Sequence, residues 1–244
     1  MSRKWNTAFL TAVIFSVCFI SCKSYKPAFD VENFYTEHDS IEFIDTESYL
    51  VLMPKDNTPG VFAEAGIIFY PGARVEYHAY LPFLTLCAEK GTACYIVKMP
   101  MNFAFMDSRA AEKFPILHPE IKHWYIAGHS LGGAIAASYL HRHQKNFDGL
   151  ILLASFSTND FSTSEIKVLS IYGSKDGVLK MKRYQKNKKN LPPEGNGLTQ
   201  IIIEGGNHSQ FGDYGEQKGD QKPEITSQEQ QRRTAEEIIA WAGL

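Results

Sequence analysis

The sequence predicts an α/β chain, built on a mostly parallel sheet of about seven to eight strands with helices on both faces. Three observations carry that reading. Beyond about residue 60, short apolar runs alternate with longer helical stretches, the pattern of βαβ units. The run Leu150-Ile151-Leu152-Leu153-Ala154 is apolar throughout, as in a strand buried on both sides. The 244 residues, 44% hydrophobic and 21% charged, suffice for one sizeable core without disulfide or metal staples.

The elements follow in chain order. Runs from Ile41 to Ile44 and from Tyr49 to Met53 read as two neighbouring antiparallel strands, followed by a turn at residues 56–60. Strands are then expected from Ala65 to Tyr70, Thr92 to Lys98, Trp124 to Ala127, Leu150 to Ala154, Val168 to Tyr172 and Gln200 to Ile203. Helices are expected from Tyr77 to Lys90, Ser108 to Phe114, Leu131 to His143, Leu179 to Lys189 and Ser227 to Trp241. The connection between the strands near Leu153 and Leu169 is about a dozen residues long, which leaves no room there for a large lid.

The first residues read as a leader. Arg3 and Lys4 precede an apolar stretch from Ala8 to Ile20. That stretch is short for a membrane span, which needs about 20 residues, and has the length of a signal-peptide core. It ends in Phe19-Ile20-Ser21-Cys22, which resembles a bacterial lipobox, with Phe19 unusual at its first position. The expectation is a signal peptide at residues 1–21, a lipidated Cys22, a tether over residues 22–38 and one α/β domain over residues 39–244. The protein would then be exported and anchored to a membrane of the cell envelope. An ordinary signal peptide or an uncleaved anchor is the alternative. Of the other three cysteines, Cys18 leaves with the leader. An exported protein can pair Cys87 with Cys94, but their places on a core helix and a strand also suit buried free thiols. No His/Cys spacing suggests a metal site. The net charge of −2 gives no global case for nucleic-acid binding.

The strongest local signal is Gly128-His129-Ser130-Leu131-Gly132, between an expected strand and an expected helix. A serine at such a turn is forced outward above the strand end, and the glycines tolerate the strained backbone. The new helix points its positive end at the reaction centre, and Leu131 N–H can donate to a developing oxyanion. A serine hydroxyl needs a base. Two residues in suitable positions follow: Asp176 after the strand ending at Tyr172, and His208 after the strand ending at Ile203. The expected roles are Ser130 as nucleophile, His208 as general base and then acid, and Asp176 as the carboxylate that orients the imidazole. Asp160, after the strand at Leu153, is the competing acid. Asp213 reads as a loop residue. His78, His123, His129, His141 and His143 read as surface or core histidines.

A second oxyanion donor is expected from Tyr70-Pro71-Gly72-Ala73-Arg74. Pro71 has no N–H, and Ala73 N–H is the candidate. A plain Pro-Gly turn is the simpler reading. Arg74 could meet a substrate carboxylate or merely be solvated. The run Lys180, Lys182, Arg183, Lys186, Lys188 and Lys189 makes one helix basic, which could face anionic lipid heads or, more simply, be a solvated face.

Four segments carry a resemblance. They are Tyr70-Pro71-Gly72, the stretch from Gly128 to Gly133, the stretch from Ser170 to Gly177 and the stretch from Glu204 to Gly215. They resemble the bacterial alpha/beta hydrolase fold-5 group, relatives of dienelactone hydrolase, from about residue 60 to the C-terminus. The resemblance implies an α/β-hydrolase fold with little or no lid, and Ser130, Asp176 and His208 as its triad. Dienelactone hydrolase uses a cysteine nucleophile, so the serine here does not imply lactone chemistry. The expected function is cleavage of a carboxylic ester or related small acyl substrate through an acyl-enzyme, with no metal or organic cofactor. A peptidase or thioesterase on the same residues, or a binding protein on the same scaffold, are the alternatives.

Overall fold

The computed structural model describes residues 24–55 and 63–244. The expected leader, Cys18, Cys22 and the turn at residues 56–60 lie outside the described residues. Eight strands form one sheet in the order β1-β2-β4-β3-β5-β6-β7-β8. They are β1 (Ile41–Asp45), β2 (Tyr49–Pro54), β3 (Ala65–Tyr70), β4 (Thr92–Val97), β5 (His123–His129), β6 (Gly149–Leu153), β7 (Lys167–Gly173) and β8 (Leu198–Ile203). β2 pairs antiparallel with both β1 and β4, and every other pairing is parallel.

Alternate residues of each central strand feed two separate cores. On one face Ile67, Phe69, Ile151, Leu153, Leu169 and Ile171 pack under α2 (Leu81–Ala88) and α6 (Ser227–Ala242). On the other face Ile68, Tyr70, Ile126, Leu150, Leu152 and Val168 pack under α4 (Leu131–Arg142) and Phe114 of α3 (Phe114–Leu117). Burial on both faces explains why Leu150 to Leu153 carries no polar residue. α6 starts at Thr226, whose side chain accepts from Glu229 N–H, and stops at Gly243 in the left-handed region (φ 74°). α5 (Met181–Lys188) follows β7.

Three expectations need correction. The helix expected from Ser108 to Phe114 is two 3₁₀ turns, Ala104–Asp107 and Ala110–Lys113, followed by the four-residue α3. Pro115 has no N–H to give to the carbonyl four residues back, so an α-helix can begin beside it but cannot run through it. Pro82 does the same in the helix expected from Tyr77 to Lys90, which is a 3₁₀ turn at Tyr77–Tyr80 and then α2. The stretch read as a tether, where described, contains α1 (Val31–Glu37) capped by Asp30. Its Tyr25, Phe29, Val31, Phe34 and Tyr35 pack on the core. Tyr25 bridges Val75, with Tyr25 N–H donating to Arg74 O (2.7 Å) and Glu76 N–H to Tyr25 O (2.9 Å). Cys87 and Cys94 are free and buried, and burial pushes the Cys87 thiol up to about 12.

Candidate active site

The parallel strands end on one edge of the sheet, and the loops that leave them converge there. Ser130 stands between β5 and α4 at φ 53° and ψ −122°, an unusual backbone conformation for a residue with a side chain. Two contacts hold it: Ser130 N–H donates to Leu153 O (2.9 Å), and Ser155 Oγ donates to Ser130 O (2.7 Å). The turn also needs glycine at 132. A Cβ there would lie 2.1 Å from Tyr70 O and 2.4 Å from Pro71 O, so α4 could not approach β3.

Asp176 and His208 meet. His208 Nδ1 is 2.9 Å from Asp176 Oδ2, and both side chains are sealed from solvent. The other carboxylate oxygen, Oδ1, accepts from Val178 N–H (2.9 Å) and Leu179 N–H (2.7 Å). The carboxylate is thereby fixed in rotation as well as in place. His208 Nε2 is buried and bonded to no other described residue. His208 lines a cavity of about 230 Å³ together with Ser130, Leu131, Leu179 and Arg183. No hydrogen bond joins Ser130 Oγ to His208 Nε2 in this structure; such bonds often form only with substrate in place. Asp160 is remote from this pair: it is exposed and its carboxylate accepts from Ser162 N–H. Asp213 serves the backbone, its N–H donating to Ala79 O.

The turn after β3 leaves one amide unspent. Gly72 N–H donates to Tyr80 Oη (2.9 Å) and Arg74 N–H to Asn102 O (2.7 Å). Pro71 has none. Among the described residues Ala73 N–H and Leu131 N–H donate to no protein atom.

Sequence reasoning missed two groups that position the site. The first is Tyr80 with His129. Tyr80 Oη accepts from Gly72 N–H, so its own proton goes to His129 Nδ1 (2.9 Å). His129 therefore carries its proton on Nε2. Burial, and then the neighbouring His208, push the His129 pKa well below its ordinary value. The two imidazole rings lie 4.6 Å apart. The second is Asp220, whose Oδ1 accepts from Gly177 N–H (2.9 Å) and whose Oδ2 accepts from Ser209 N–H (2.8 Å). One carboxylate thus buckles the loop of Asp176 to the loop of His208. Gln230 of α6 adds a two-way clasp on the Asn207 backbone, at 2.9 and 2.8 Å. Tyr80 and Asp220 have no motif around them, and His129, though it sits inside the Gly128 to Gly132 stretch, gives no sign in sequence of its distant partner Tyr80.

A larger cavity of about 900 Å³ opens at the opposite edge, lined by His123, Asp148 and Lys167. It holds none of Ser130, Asp176 or His208, and it lies at the strand N-termini, where folds of this type do not bind ligands.

The model of the "Alpha/beta hydrolase family" matches residues 66–232, more than half of the chain. The chain belongs to that family. Its fold is similar to several solved structures. One is described as Est1E from Butyrivibrio proteoclasticus (15% identity, 83% of this chain and 98% of that one covered, TM-score 0.59). Another is a predicted CIB-like hydrolase from Thermoplasma acidophilum (17% identity, 84% and 98% covered, TM-score 0.56). A third is a thermophilic esterase, Est2, from Thermogutta terrifontis (12% identity, 85% and 94% covered, TM-score 0.55). At these identities the likeness is one of fold. No curated protein matches the chain significantly.

Proposed function

We propose that the protein is a serine hydrolase that cleaves an ester through an acyl-enzyme on Ser130. One observation carries the reading: His208 is hydrogen-bonded to the buried Asp176 and opens onto the same cavity as Ser130. Family membership supports a hydrolase, and a neighbour described as a thermophilic esterase favours the ester bond.

The proposed steps use this geometry. The Nδ1 proton of His208 is committed to Asp176, which leaves Nε2 as the basic nitrogen. As Ser130 Oγ attacks the ester carbonyl, Nε2 takes its proton, and Asp176 stabilises the imidazolium that results. Charge that develops on the carbonyl oxygen is met by Leu131 N–H, at the positive end of α4, and by Ala73 N–H. Nε2 then returns the proton to the leaving alcohol. Water repeats the cycle on the acyl-enzyme.

A fluorophosphonate probe tests this reading. The wild type should label and Ser130→Ala should not. Equal labelling of both would remove Ser130 from its role. Turnover of matched ester, thioester and anilide substrates separates an esterase from a thioesterase or peptidase. For the N-terminus, the leader and lipobox-like segment support export with lipid on Cys22. Radiolabelled palmitate should enter the wild type and not Cys22→Ala.

A further inference from the structure

The cavity beside Ser130 is asymmetric in charge. Its walls are largely apolar, from Leu131, Ala134, Phe156 and Val178, and its rim carries Lys180 and Arg183. No Asp or Glu lines it. Asp176, which lies behind His208, is fully buried and already bonded to the imidazole and two amides.

Those two cations sit where helix energetics disfavour them. Lys180 is the N-cap of α5 and Arg183 lies in its first turn, at the positive end of the helix dipole. No acidic residue occupies that first turn. Spaced by three residues, the pair share one helix face and repel each other. Among the described residues neither side chain has an ion pair or a hydrogen bond. Lys175 pairs with Glu224 at 2.7 Å and Lys188 with Glu194 at 2.8 Å, while Lys182, Lys186 and Lys189 are, among the described residues, without an ion pair like Lys180 and Arg183. Lys182 and Lys186, also on α5, do not line the cavity. A locally unfavourable charge pattern kept at the mouth of a site is the kind of rule-breaking that function explains. His208, whose Nε2 is buried and unbonded, lines the same cavity.

We propose that this cavity receives an ester bearing a carboxylate, with Arg183 and Lys180 binding the carboxylate while the scissile carbonyl lies against Ser130. Arg183 offers a planar fork of donors that matches a carboxylate, and Lys180 adds a point charge. The apolar wall between rim and serine fits a short chain or an aromatic ring. This substrate class rests on the reading of Ser130 as nucleophile.

Two ester pairs test it: 4-nitrophenyl glutarate half-ester against 4-nitrophenyl valerate, and 3-carboxy-4-nitrophenyl acetate against 4-nitrophenyl acetate. Each rate is referred to hydroxide hydrolysis of the same ester. The anionic member of at least one pair should show about tenfold higher kcat/KM at low salt, since two partly screened charges supply about that much. The preference should shrink as NaCl rises to about 0.5 M. It should collapse to about one in Lys180→Gln/Arg183→Gln and largely survive in Arg183→Lys. Calorimetry of monomethyl glutarate on Ser130→Ala reads the anion site without turnover, and its heat should vanish when Arg183→Gln is added. Neutral esters turned over as well as anionic ones in both pairs would overturn the substrate class and leave the hydrolase standing. So would a preference that survives in the double variant. Absence of fluorophosphonate labelling together with hydrolysis of none of the esters would instead sink the hydrolase. In that case the calorimetry alone decides whether the anion site exists.

Discussion

Tyr80 Oη and His129 Nδ1 lie 2.9 Å apart in a fully buried contact, and the same hydroxyl accepts from Gly72 N–H. A side chain at the start of α2's approach thus ties the residue before Ser130 to the turn that carries Ala73. The two proposed oxyanion donors are held in register through one phenol.

Tyr80→Phe removes that tie without removing the ring. Gly72 N–H is then buried with no acceptor, and His129 Nδ1 loses its donor. The expected cost is about 1–3 kcal/mol of stability, read by urea unfolding. Turnover of a short ester should fall mainly in kcat, because the amide that shifts faces the transition state more than the ground state. A variant as active and as stable as wild type would show that the phenol is only filler.

His129 gives the molecule a pH dependence with a definite sign. Its pKa is well below the ordinary 6.5 because burial, and then the nearby His208, disfavour a positive charge on it. The unfolded chain therefore binds a proton that the native state refuses. Stability is fully present above about pH 6.5 and declines as pH falls below it, by about 1.4 kcal/mol per pH unit until the native pKa is reached. His129→Asn keeps an acceptor for Tyr80 and cannot titrate. Urea unfolding at pH 7.5 and 5 should show the wild type losing more stability than this variant. Parallel losses would remove His129 as the cause.

Much of this is legible in the residues alone. The strands are marked by apolar runs with no polar interruption, because both sheet faces are covered. Ser130 is marked by glycines whose need is steric: α4 crosses β3 so closely that residue 132 has no room for a Cβ. Asp176 and His208 are marked by position, each just past a strand end. Helix starts are less legible: Pro82 splits a segment that periodicity alone joins, and the stretch just before Pro115 forms 3₁₀ turns in place of the expected helix. The segment containing Tyr25 and Phe34 reads as a tether, because its apolar residues pack by tertiary contact and show no clear period. Asp220 is invisible, for a carboxylate that binds two amides in two other loops leaves no local signature.

Asp220 carries its own expectation. Asp220→Ala frees Gly177 N–H and Ser209 N–H, the residues that follow Asp176 and His208. Both loops would gain freedom while every proposed catalytic group remained. Stability should fall by about 1–3 kcal/mol. The Asp176–His208 hydrogen bond should loosen too, seen as an upfield shift or loss of the Nδ1 proton resonance. An unchanged resonance with unchanged kcat would reduce Asp220 to a surface turn residue.

Asp176→Asn separates charge from shape. The amide oxygen can still accept from Val178 N–H and Leu179 N–H, which fixes the side-chain rotamer. The amide nitrogen is then presented to His208 Nδ1, at the position now 2.9 Å away. A donor cannot bond to N–H, so the imidazole must move its proton to Nε2, the nitrogen that should take the proton of Ser130 Oγ. Fold and stability should change little, yet kcat should drop on the order of 10³- to 10⁴-fold, the size seen when a serine enzyme is locked in the wrong tautomer. Raising the pH should restore little of it, because a misplaced proton, not a missing charge on substrate, limits the rate. An Asp176→Asn variant that kept more than a tenth of wild-type turnover would mean that the carboxylate is structural and that the base is oriented by something else.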